Sequence, residues 1–140
     1  MRQDQLDIPA ALAEDLDRKG LEFLAEVLRA HVRRHPRSVD ALAELGHALT
    51  RLGRVDEGLE VDRQLVRLVP DNPTVHYNLA CSLALLNLKD DSLDALETAI
   101  DLGYDDTDFL REDDDLSGLR GDLRFERLVR RLEANAPTTT

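Results

Sequence analysis

The sequence has one cysteine, no tryptophan and only 4% aromatic residues. A single thiol cannot form an intrachain disulfide framework, so a reducing cytoplasm is the expected setting. Long apolar runs are missing, and none approaches the roughly 18 residues of a membrane span. The opening residues, MRQDQLDIPA, lack the apolar stretch of a secretory signal, and no such signal is expected. Cations are in short supply: 18 Lys and Arg stand against 29 Asp and Glu, a net charge of -11. Phosphate backbones are held by clustered Lys and Arg, so no nucleic-acid partner is expected. Strict apolar–polar alternation is also lacking, which leaves no convincing strand.

Leucine is what the chain has in quantity, with 27 copies. Apolar residues recur at spacings of three and four, the signature of helices with one buried face. Pro36, Pro70 and Pro73, with Gly20, Gly53 and Gly103, cut this pattern into segments. The spacing predicts helices over 8–18, 21–34, 39–52, 55–68, 73–86, 89–102 and 122–134, and a short one near 106–111. At 140 residues the chain is one domain able to bury its own core. The polar end, 136–140, contains Pro137 and is expected to be disordered.

An internal repeat sets the architecture. Residues 39–72 and 73–106 align without a gap. Leu45 falls on Leu79, Gly46 on Ala80, Leu49 on Leu83, Gly53 on Asn87, Gly58 on Ser92 and Leu59 on Leu93. The types have physical reasons. Gly46 and Ala80 are small where a second helix crosses the first, and Gly58 and Ser92 meet it from the other side. Gly53 and Asn87 stand where the first helix ends, and both tolerate a left-handed backbone. Pro70 stops the second helix.

This 34-residue helix–turn–helix unit resembles the tetratricopeptide repeat (TPR) family. The resemblance implies an all-α, right-handed TPR-like superhelix, or solenoid, of the bacterial kind. It departs from the family where a bulky aromatic is usual in the second helix: here stand Asp62 and Leu96. Residues 5–38 are expected to form a degenerate leading helix pair. Residues 107–135 are expected to cap the array, with 1–135 as the whole domain. The cap is similar to a tail that closes bacterial TPR arrays: Asp115-Leu116, Leu119-Arg120, Asp122-x-Arg124-Phe125 and Leu128. Leu123, Phe125, Leu128, Val129 and Leu132 are expected to cover the open end, with Asp122 as N-cap.

TPR arrays hold peptides on a concave face lined by their first helices. The resemblance assigns to that face Asp40, Ala43, His47, Thr50 and Arg51 in one repeat. In the next it assigns Thr74, Tyr77, Cys81, Ala84 and Leu85, beside Asn78. Asn78 matches one asparagine of the family's carboxylate clamp. The other clamp positions are Ala43, His47, Asp108 and Glu112, so no clamp for chaperone tails is built. Helix 73–86 carries no charge, and the seven acids of 73–106 follow it. A nearly neutral groove is therefore expected, suited to a neutral, apolar or basic peptide.

Catalytic constellations are sparse. His31 and His35 sit one turn apart with no glutamate arranged as in HExxH; a basic helix end explains them as well. Cys81 is a nucleophile only if His47 or His76 approaches it, and otherwise lines the groove. The acidic stretch 101–115 fails the EF-hand spacing, with Gly103 third and Asp106 sixth. Weak, non-specific cation binding near Asp113–Asp115 is the remaining chemical alternative. No enzyme, no metal and no cofactor is expected. The expected function is a protein-interaction module; the alternative is a self-associating structural or regulatory subunit, for example a homodimer.

Overall fold

The computed structural model describes residues 9–136. The expected disordered tail, 136–140, lies outside the described residues save for Ala136. Among the described residues seven α-helices follow one another: α1 (Ala10–Arg34), α2 (Val39–Arg51), α3 (Val55–Leu68), α4 (Pro73–Leu85), α5 (Lys89–Asp101), α6 (Thr107–Glu112) and α7 (Leu123–Ala134). A 3-10 helix, Asp114–Leu119, lies between the last two. The described residues contain no strand. Each of the first five helices packs on its neighbour in the chain. The 3-10 helix packs on α4, and α7 rests on α5 and α6.

The turns follow local chemistry. Ser38 caps α2 by accepting from the Ala41 amide at 3.4 Å. Asn72 caps α4 by accepting from the Thr74 amide at 2.9 Å, and Pro73 fills the first helical position. Gly53 and Asn87 end α2 and α4 with φ of 77° and 61°. Asp122 caps α7 through the amides of Arg124 and Phe125.

The second helices cross the first where side chains are smallest. A Cβ added to Gly46 would meet Asp62 Oδ1 at 3.3 Å, and one added to Gly58 would meet Thr50 Oγ1 at 3.0 Å. In the next pair, Ser92 donates to the Ala80 carbonyl at 2.6 Å. The core then divides along α4. On one side Leu42, Leu49 and Leu65 pack with Ala25 of α1. On the other, Leu93, Leu96, Leu110, Leu116 and Leu119 pack with Phe125 and Leu128. Each such leucine contributes about 2 kcal/mol of burial.

The leading helix pair is corrected by the structure. The helices predicted over 8–18 and 21–34 are one continuous helix, α1, running through Gly20. An interior glycine costs a helix only about 1 kcal/mol. Ion pairs one turn apart hold the backbone around it: Asp15 with Lys19 at 3.1 Å, and Arg18 with Glu22 at 3.6 Å across the glycine.

The terminal segment packs into the core on the far side of α4. Phe125, Leu128, Val129 and Leu132 are buried, but Leu123 is 72% exposed and covers nothing. It precedes the buried stripe of α7 by two residues and points away from it. Arg124 pairs with Asp94 at 2.6 Å and Glu97 at 2.9 Å, while Arg131 pairs with Asp101. Arg111 of α6 pairs with Glu133.

Candidate functional site

A cleft of about 410 Å³ opens between α2 and α4, walled at one side by the segment after α5. Of the expected groove residues it gathers His47, Thr50, Arg51, Tyr77, Asn78 and Cys81. Asp40, Ala43, Thr74, Ala84 and Leu85 do not line it. Ala84 is drawn into the second core cluster, and Leu85 is exposed at the end of α4.

Tyr77 is not a free aromatic edge. It is 3% exposed and stacked on Tyr104, with ring centroids 4.4 Å apart and planes 6° off parallel. Its hydroxyl donates to Asp113 Oδ2 at 2.6 Å. The residue therefore joins α4 to the start of the 3-10 helix. Phe109, tilted against Tyr77 at 5.9 Å and 53% exposed, is the ring that the cleft presents to solvent.

The expected neutrality is also corrected. Glu44, Asp62, Asp113 and Asp115 line the cleft against the single guanidinium of Arg51. Helix α4 is uncharged, as its sequence shows, but its neighbours supply the acids. Asp62 comes from α3 across the Gly46 gap. Asp113 and Asp115 come from the terminal segment.

Asp62 is the most perturbed of these carboxyls. Burial pushes its pKa up to about 6; the Ser82 hydroxyl, donating at 2.5 Å, and the charge of His47 pull it partly back. Burial, then the charges of Asp113 and Asp114, also raises Asp115. These shifts mark a place where negative charge is crowded and poorly solvated.

Cys81 S–H points at Asp113 Oδ2, 3.6 Å away, and not at a histidine. Burial and then the charges of Asp113 and Asp115 push its thiol well above the usual range. The Cys81 sulfur and the carboxylates of Asp113 and Asp115 have ligand atoms within 4.8 Å of one another. Asp113 is engaged by the protein's own donors. Asp113 Oδ2 accepts from Tyr77 and Cys81, and its Oδ1 accepts from the Asp115 amide at 3.0 Å. Nor does His76 approach Cys81 in a hydrogen bond: its ring nitrogen meets the Pro70 carbonyl at 2.6 Å.

The sequence named Asp113 and Asp115 only for weak cation binding, and it missed Glu44 and Asp62 as lining residues. One signal existed: Asp62 stands where the resemblance leads one to expect an aromatic, and a departure at a core position marks a local purpose. Nothing local pointed to the contact of Asp113 with Tyr77 across 36 residues.

No family model matches the chain. Over 91 residues it is 32% identical to a chloroplastic protein of Arabidopsis thaliana. The shared stretch is 63% of this chain and 27% of that relative, so the chain spans about a quarter of the relative's length. No described helix is long and apolar enough to cross a membrane.

Proposed function

We propose that the chain is a non-enzymatic protein-interaction module of the TPR kind, which holds a segment of a partner protein in the cleft between α2 and α4. One observation carries this reading: six residues assigned to a peptide groove line one cavity of about 410 Å³. Recurring helix starts support the solenoid: α2 and α4 begin at 39 and 73, α3 and α5 at 55 and 89, the same interval each time. The non-enzymatic reading is supported by Cys81, whose protonated thiol is a poor nucleophile. The buried free thiol also suits a reducing, cytoplasmic setting.

Charge narrows the partner class. Four carboxylates against one arginine disfavour an acidic peptide, and the expected neutral, apolar or basic partner becomes a basic one. An Arg or Lys side chain reaching past Phe109 finds an aromatic face and undersolvated carboxylates together. Fluorescence anisotropy with labelled peptides that differ only in replacing Arg and Lys by Glu tests this. The basic peptide is expected to bind and to lose affinity in Glu44→Arg and His47→Arg, both exposed residues of the cleft lining. Equal binding of both peptides, or unchanged binding by both variants, removes the proposal.

A further inference from the structure

The two ends of the helical stack are finished differently. The 3-10 helix and α7 bury the apolar face at the far end. Helix α1, at the near end, has one face packed and the opposite face bare. Leu21, Ala25, Leu28 and Val32 turn toward α2. Leu12, Leu16, Phe23, Leu24 and Val27 stand between 40% and 69% exposed. At about 100° per residue, the stripe of Leu12, Leu16, Phe23 and Val27 is centred roughly 150° from the packed stripe. Gly20 lies along the same outer face, with nothing within 4 Å of where its Cβ would be. Asp15 pairs with Lys19 and Arg18 with Glu22 within this helix, and Arg29 reaches Glu57 of α3.

We propose that this face is covered by a second copy of the chain, through antiparallel packing of α1 against α1. The stripe is its own complement. A two-fold axis at Lys19–Gly20 sets Leu12 against Val27 of the second copy and Leu16 against its Phe23, on both sides of the axis. Gly20, at the crossing, lets the backbones approach closely. An isologous contact demands such self-matching, and a stripe shaped for an unrelated partner does not.

The area is sufficient. Five side chains at these exposures present on the order of 500 Å² of apolar surface, the upper end for a monomer. Two copies together bury about 1,000 Å², where specific interfaces begin. Each helix supplies the apolar partner that the other lacks, and the stack is then closed at both ends. The cleft between α2 and α4 is left open by this contact, so the dimer stands independently of the peptide reading.

Sedimentation equilibrium of the whole 140-residue chain tests it. The wild type is expected at twice 15.8 kDa in the micromolar range. Phe23→Glu is expected at 15.8 kDa, with the dissociation constant raised about 100-fold and unchanged far-ultraviolet circular dichroism. Leu16→Gln, at a side chain 52% exposed, is a milder second variant and is expected to weaken the dimer as well. Pairing is read by oxidation: a mixture of Leu16→Cys and Phe23→Cys chains is expected to give the mixed disulfide, and neither chain alone a disulfide dimer. A wild type that stays monomeric up to about 100 μM overturns the proposal. So does a dimer that survives both Phe23→Glu and Leu16→Gln, or self-disulfides in place of mixed ones.

Discussion

Replacing Asp62 by asparagine is expected to stabilise the protein at neutral pH, and the size of the effect follows from its surroundings. The carboxyl is 6% exposed, lies under Gly46 and accepts one hydrogen bond from Ser82. Its pKa is about 6 in the folded chain against an ordinary 3.8. Between those values the folded chain holds a proton that the unfolded chain has released. Stability therefore falls as pH rises from about 4 through 6, and the loss is complete above that. At about 1.4 kcal/mol per pKa unit, the whole gap corresponds to about 3 kcal/mol. Asparagine keeps an oxygen for the Ser82 hydroxyl and cannot ionise. Urea unfolding at pH 4.5 and pH 7.5 separates the two proteins. Part of the loss already lies below pH 4.5, and about 2 kcal/mol of it falls within this interval. Other groups titrate alike in both, so the wild type is expected to lose that amount relative to Asp62→Asn. Parallel stability curves would show that Asp62 ionises without cost, and the picture of a desolvated carboxyl would be wrong.

Three further outcomes are expected. Tyr77→Phe removes the hydroxyl that binds Asp113 and is expected to cost about 2 kcal/mol in urea unfolding. Asn87 has φ of 61°, so Asn87→Ala is expected to cost about 1 kcal/mol and Asn87→Gly to be neutral or stabilising by thermal melting. In the proposed peptide complex, affinity for a basic peptide is expected to rise on the order of tenfold from pH 5 to pH 7.5, as Asp62 sheds its proton beside Glu44, Asp113, Asp115, His47 and Arg51. Asp62→Asn is expected to flatten that rise in isothermal titration.

The helices α2 to α5 were legible because each boundary has a local cause. Asn72 and Pro73 announce a start, and Gly53 and Asn87 an end, through capping and backbone freedom within a few residues. Gly20 carried the same local signal and misled. What overrides it is a set of neighbouring side chains, Arg18 and Glu22 among them, whose pairing exists only once the helix has formed. The cleft was half legible for a related reason. His47, Thr50, Arg51 and Cys81 share a periodic face with one helix or its repeat. Asp113 enters from a non-repeating segment, and no periodicity records where that segment lands. Its contact with Tyr77 turned an expected binding anchor into a structural one and brought in the charge that helix α4 itself lacks.

The arginines of α7 divide a task with its leucines. An apolar stripe says that a helix docks, but not which way it runs. Arg124 and Arg131 are two turns apart, and so are their partners Asp94 and Asp101. Both pairs link residues 30 apart in sequence, so α7 runs parallel to α5, and Arg124 also reaches Glu97 one turn further on. Each rung is worth little as stability on an exposed surface. Together they act as an arrow: the acids that dominate the chain's charge are met by the arginines of α7 in the same order along α5, which records a direction of travel.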